Sequence, residues 1–336
     1  MLKIEGRLLR RWLLPSLAAA VFLLSLLFLV PYASGYEQLK VPLGIMLWKI
    51  CMAGQQNSHV TLDFSYCLFV PVIVGYLIFV RKEEIARQPV HGNNAALGLL
   101  VFGLVLYWLG LRTEMQVLGY AAMQLLLAGV ILWLWGGDVF RALLFPWAFF
   151  IFFWPLPFLD TTVAFPLRMV MTHLAFTILN IVGIPAIQSG TALLSAANPV
   201  SGLPVGARFH IDIADPCSGI RSLLALMMIS AVGAYLFLPK LWQQWAIFLS
   251  SIPLTIIGNL SRVLILIAGS ILFGTPYAIG TTEVPSSFHE NAGFLVYGVA
   301  LGLEFALGWL LLKIDRPKSK PADHPAVAAA PSGRPA

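Results

Sequence analysis

The chain has 336 residues, 59% of them hydrophobic and only 11% charged, with a mean hydropathy of +0.85. A soluble domain carries about 25% charged residues, so a soluble globular enzyme is excluded. The net charge of +6 comes without a basic stripe interleaved with aromatics, which speaks against a nucleic-acid partner.

Apolar runs of around twenty residues match the length a helix needs to cross the hydrocarbon core. The alternating ten-residue pattern of a membrane β-barrel is missing. The predicted class is an all-α polytopic membrane protein. Spans are predicted at roughly 12–32, 64–80, 95–111, 116–135, 140–159, 219–238, 243–262 and 290–312, about eight transmembrane helices in all. The first follows Lys3, Arg7, Arg10 and Arg11 and is too long for a signal-peptide core, so it reads as a retained helix.

Residues 163–183 carry Arg168 and His173 among apolar neighbours and follow Pro155, Pro157 and Pro166. They read as an interfacial or re-entrant helix, because a ninth crossing would move the basic residues after 312 to the outer side. With eight spans, the clusters at 3–11, 81–87 and 313–320, together with Arg141, Lys240 and Arg334, lie in the cytoplasm. Basic residues then favour the cytoplasmic side two to one, with both termini there. Residues 184–216 form a small extracytoplasmic loop region that includes the alternating run R-F-H-I-D-I from Arg208 to Ile213. Three regions follow: a five-helix membrane region at 1–160, a catalytic membrane region at 161–312, and a disordered Pro- and Ala-rich cytoplasmic tail at 313–336.

Polar residues within the apolar chain mark the chemistry. Cys217 in D-P-C-S-G-I-R-S-L-L lies where the outer loop becomes a helix. A helix N-terminus favours a thiolate there, though a cysteine in such a chain is also often an inert small hydrophobe. Cys51 and Cys67 read as inert, and three cysteines without C-x-x-C spacing indicate neither a disulfide framework nor a thiolate metal site. Arg262 in N-L-S-R, with Asn259, lies about 26 Å along its helix from Trp245 and is followed by ten more apolar residues. Snorkelling at a helix end is the bland explanation; a partner or a catalytic role is the other. His289 in H-E-N-A-G opens the last span from the same side and is suited to moving protons.

Other chemistries fit less well. A zinc-protease H-E-x-x-H would need histidine where Gly293 stands, and Asp138 has no second intramembrane aspartate to complete a dyad. No nucleophile elbow and no P-loop occur, and neither metal nor cofactor is expected.

C-S-G-I-R-S-L from Cys217 to Leu223, N-L-S-R from Asn259 to Arg262 and H-E-N-A-G from His289 to Gly293, in that order, resemble the exosortase/archaeosortase family of membrane cysteine transpeptidases. The P-L-P at 155–157 and G-I-P from Gly183 to Pro185 add to the likeness, which spans about 150–310. The resemblance implies an active site of Cys217, Arg262 and His289. It also implies as substrates exported proteins with a C-terminal sorting signal of the PEP-CTERM kind, a transmembrane anchor and a basic cluster, cleaved at the outer face of the cytoplasmic membrane. Companion proteins of exopolysaccharide assembly are the expected partners beside the lipid bilayer. Ser218, Asn259 and Arg221 are supporting candidates, and Arg221 either binds a substrate carboxylate or serves as a structural partner for an acid. The rival readings are a non-catalytic multi-pass protein, such as a transporter or exopolysaccharide-assembly subunit, and a protease that only hydrolyses.

Overall fold

The computed structural model describes residues 2–34, 40–56, 64–156, 158–200, 202–213, 220–280 and 286–314. The described chain is mostly helical, but it also contains two small antiparallel sheets that a purely all-α reading does not include.

Helix α1 (Leu2–Phe28) ends at a hairpin of β1 (Pro31–Ser34) and β2 (Lys40–Pro42), which leads into α2 (Leu43–Gln56). A 3₁₀ turn at Ser65–Phe69 precedes α3 (Val70–Val80), and α4 (Lys82–Ala86) caps its far end. Helices α5 (Ala96–Thr113) and α6 (Gln116–Leu134) form a closely packed hairpin. The polar Gln124 of α6 is accommodated by full hydrogen bonding. Its Nε2 donates to the Trp147 carbonyl at 2.6 Å, while Trp147 and Trp154 indoles donate to its backbone and side-chain oxygens at 3.0 and 2.8 Å. That arrangement satisfies an amide that apolar surroundings would otherwise penalise.

Among the described residues, five helices are long and apolar enough to cross a membrane: Ala96–Thr113, Gln116–Leu134, Thr162–Ile181, Leu241–Phe273 and Ser287–Ile314. Eight such spans were expected, and the difference has local causes. The run 140–159 is broken into α7 (Gly137–Ala142), α8 (Leu144–Phe149) and a 3₁₀ turn at Phe150–Phe153. Pro146 has no N–H and its ring crowds the carbonyl four residues back, that of Ala142, where α7 ends. The runs at 12–32, 64–80 and 219–238 are helical but shorter, with apolar portions Leu13–Phe28, Tyr66–Val80 and Ser222–Phe237. Conversely, α9 (Phe165–Ile181), with the π-turn before it, reaches spanning length where an interfacial or re-entrant helix was expected.

The loop region after α9 folds into a three-stranded antiparallel sheet in the order β3 (Ala186–Ser189), β4 (Ala192–Ser195), β5 (His210–Asp212). The alternation from Arg208 to Ile213 becomes its pleat. Phe209, Ile211 and Ile213 are buried while His210 and Asp212 are exposed, as a period of two requires. The buried face, with Leu193, packs on Ala175 and Leu179 of α9 and on Val263, Leu266 and Ile267 of α11 (Leu241–Phe273).

That contact explains the length of α11. Thirty-three residues make a helix of about 50 Å, well beyond the roughly 30 Å of a hydrocarbon core. Of the residues that follow Arg262, Val263, Leu266 and Ile267 are buried against the sheet and α9. Arg262 lies within α11, eleven residues before its last residue, and not at the helix terminus.

Both α10 (Ile220–Phe237) and α13 (Ser287–Ile314) pack on α11 and touch each other, α13 being reached through the short α12 (Thr275–Ala278). Both neighbours run antiparallel to α11, so α10 and α13 begin at the same end of the bundle. The α11–α13 seam is close because Gly258 faces Val296, Gly269 faces Phe288 and Gly293 faces Arg262. Small residues permit this kind of approach between apolar helices.

Candidate active site

Ser286 sets the start of α13. Its hydroxyl oxygen accepts the backbone N–H of His289 at 3.1 Å and its proton goes to the Ala278 carbonyl at 2.9 Å, tying α12 to the first turn of α13. A serine at the N-cap satisfies an N–H that the helix leaves unpaired. His289 is thus fixed in the first turn, on the side that faces α11.

From α11, Arg262 reaches His289 directly: Nη2 lies 2.9 Å from Nε2 of the imidazole. A guanidinium offers only donors, so Nε2 must be the acceptor. The imidazole in this contact is the neutral tautomer with its proton on Nδ1. Nε of Arg262 is buried and makes no hydrogen bond among the described residues.

Gly293 completes the cradle. A Cβ there would lie 3.2 Å from Cζ of Arg262, 3.3 Å from Nη2 and 3.4 Å from Nε. The guanidinium rests flat on the backbone of α13, one helical turn beyond His289. In the sequence Gly293 closes the H-E-N-A-G motif and rules out a zinc motif; its packing role is visible only once the two helices are placed side by side.

Beneath the pair is a cavity of about 30 Å³, lined by Ser222 and Leu226 of α10, Thr255, Asn259 and Arg262 of α11, and Gly293 and Tyr297 of α13, among others. Asn259 is buried, 6% exposed, and lies one turn before Arg262. A cavity of this size and polarity has room for a water molecule. All three helices therefore meet at the level of Arg262, and the first turns of α10 belong to that meeting point. Arg221 lies in the first turn of α10. Cys217 and Ser218 lie outside the described residues, Cys217 three positions before Ile220.

The remaining sequence candidates do not join the site. Asp138 pairs with Arg141 at 3.2 Å on an exposed surface. Cys51 and Cys67 are free thiols buried at the α2 to α3 junction, hydrogen-bonded to each other. A polar pair that the sequence reading passed over lies deeper: the Ser230 hydroxyl of α10 hydrogen-bonds the Glu304 carboxyl of α13, and both are buried. A lone glutamate in an apolar span was the available signal for it.

The profile of the transmembrane exosortases matches residues 59–306. The chain belongs to the transmembrane exosortase family. No curated protein and no solved structure matches it. The matched region takes in α10, α11 and the first two-thirds of α13, and with them Arg262, His289 and Gly293. It begins well before the 150–310 stretch suggested by motifs, so α3, α5 and α6 are also part of what this exosortase shares with its family. Helices α1 and α2 precede the match.

Proposed function

We propose that this exosortase is a membrane-embedded cysteine protease and transpeptidase. Its substrates are exported proteins carrying a C-terminal sorting signal of the PEP-CTERM kind, followed by an apolar anchor and a basic cluster. It works at the outer face of the cytoplasmic membrane, with both termini in the cytoplasm. The observation that carries the reading is the Arg262–His289 contact at 2.9 Å, on two helices whose site ends meet the first turn of α10. Cys217 precedes Ile220, where α10 begins, by three positions in the sequence.

The chemistry follows from the pair. Neutral His289 takes the proton of the Cys217 thiol at Nε2, leaving a thiolate. Protonated Nε2 no longer accepts from Arg262, so the guanidinium is released toward the new anion. The thiolate attacks the scissile carbonyl and the electron pair moves to oxygen, where Arg262 stabilises the oxyanion. Collapse breaks the C–N bond, and His289 returns its proton to the departing amine, leaving a thioester on Cys217. An incoming amine or water, deprotonated by His289, attacks the thioester and restores the thiol. An amine gives transfer to a new partner and water gives hydrolysis.

The test is mass spectrometry of the C-terminus of an anchored exported protein from cells with wild-type exosortase or the Cys217→Ala variant. The expected result is a C-terminus shortened ahead of its apolar segment with the wild type and intact with the variant. Shortening that persists in the variant overturns the assignment of the nucleophile.

A further inference from the structure

A large apolar groove, about 1020 Å³ in volume, opens between α3, α10 and α13. Val72 and Tyr76 of α3 form one wall, and Phe237 of α10 with Phe305 and Trp309 of α13 form the facing ones. Its polar members Ser230 and Glu304 are buried and hydrogen-bond each other, so an occupant meets hydrocarbon and aromatic rings.

The depth of the groove selects the occupant. It follows α10 from Ala225 to Phe237 and α13 from Leu301 to Leu312, about 18 and 17 Å at 1.5 Å per residue. A hydrocarbon core is about 30 Å thick, so the groove is about as deep as one leaflet. A membrane-crossing helix, whether of another protein or of a second copy of this chain, would lie almost half outside it. Lipid acyl chains belong to one leaflet and match the depth.

The charges at its mouth select the headgroup. Arg81, just after α3, lies 4.8 Å from the Tyr235 ring centroid, which brings the end of α3 beside the end of α10. Near this level two lysines have no acidic partner among the described residues, whereas Arg81 and Arg87 pair with Glu84 and Glu83. Lys82 Nζ lies 4.3 Å from the ring centroid of Phe79, three residues beyond Tyr76, and Lys313 Nζ lies 3.6 Å from that of Trp309, itself a groove wall. An ammonium held over an aromatic ring at the end of a membrane helix stands at headgroup level, where phosphate is the available anion.

We propose that this groove is a binding site for one anionic phospholipid of the leaflet away from Arg262 and His289. Its acyl chains lie between α3, α10 and α13, and its phosphate is held at the mouth by Lys82 and Lys313. Such a lipid fills the space between α3 and the two helices that carry the first turns of the site. The assignment does not depend on the processing reaction.

Native mass spectrometry of the full-length protein in detergent, with phosphatidylglycerol or phosphatidylcholine added, tests it. Wild type is expected to retain one phosphatidylglycerol per chain and to bind phosphatidylcholine at least tenfold more weakly. Replacing both lysines, Lys82→Ala with Lys313→Ala, should remove that preference, since each lysine near a membrane surface favours anionic lipid severalfold. Gly233→Phe places a ring in the groove at a position with no atom within 4 Å of a Cβ, and should abolish retention of both lipids. Gly98→Phe, at an equally open position on α5, should bind as wild type. Equal retention of the two lipids by wild type, an undiminished preference in the double lysine variant, or full retention by Gly233→Phe would overturn the site. So would a photo-crosslinker at Phe305 that captures a polypeptide in native membranes where a lipid adduct is expected.

Discussion

At the scale of single residues, the site depends on an arginine kept in place by what it touches. Its Nη2 is held at 2.9 Å from the imidazole, and its face lies on the backbone at Gly293. A lysine at 262 would keep the charge but lose the planar fork that can serve His289 and an oxyanion in turn. Arg262→Lys is accordingly expected to lower processing by about 10²–10³-fold, the usual cost of removing an oxyanion donor, with unchanged membrane insertion. Processing rates measured against immunoblotted membrane levels check this, and activity within threefold of wild type would contradict it. The residues of this site were legible in the sequence because charged and titratable side chains are rare in an apolar chain, so Arg262 and His289 stood out. Gly293 did not, because a glycine announces a close approach only when the neighbouring helix is known.

At the scale of elements, the α11–α13 seam makes a sharper prediction. Gly293→Ala would press a methyl group against the guanidinium and move it by a few tenths of an ångström, which is enough to impair a site that works by alignment. Gly298 and Gly302 on the same helix face open space, so alanine there adds helix propensity at no steric cost. A several-fold to tenfold loss for Gly293→Ala beside unchanged Gly298→Ala and Gly302→Ala is the expected pattern. Equal behaviour of all three would contradict the cradle. Further along α13, Glu304 accepts a hydrogen bond from Ser230 of α10; Ser230→Ala removes it and is expected to destabilise the protein by about 1–3 kcal/mol, with Glu304→Gln milder. Thermal unfolding in detergent reads both.

Element boundaries were only partly legible. The strand at His210–Asp212 announced itself by alternation, whereas A-I-Q-S and A-L-L-S, at β3 and β4, are too short and uniform to separate from loop. An apolar run likewise does not distinguish one long helix from two short ones. Pro146 and the Leu143 junction divide 140–159, while α11 runs eleven residues beyond the predicted span end at 262, with Val263, Leu266 and Ile267 buried against the sheet and α9.

At the scale of the whole molecule, the antiparallel order of α10, α11 and α13 gathers the site at one end of the bundle and places the far ends of the same helices together at the other. At that far end Arg81, just after α3, lies 4.8 Å from the ring of Tyr235 in α10 and pairs with Glu84 at 2.6 Å. The proposed orientation puts this end, with Arg81, Lys82, Arg87 and Lys240, in the cytoplasm and the sheet outside. In a Cys217→Ala background, a cysteine at Val200, which is 98% exposed, is therefore expected to react with a membrane-impermeant maleimide in intact spheroplasts. One at Ala330 should react only after permeabilisation, and the reverse pattern would contradict the orientation.

The central claim is that Cys217 carries the acyl group in a site completed by Arg262 and His289. Mass spectrometry of the exosortase itself, purified with a co-expressed anchored substrate after rapid acid quench, tests it most directly. The account predicts a peptide adduct on Cys217 that hydroxylamine removes and that Cys217→Ala lacks. A substrate that is shortened while no hydroxylamine-sensitive adduct forms on Cys217 would contradict it.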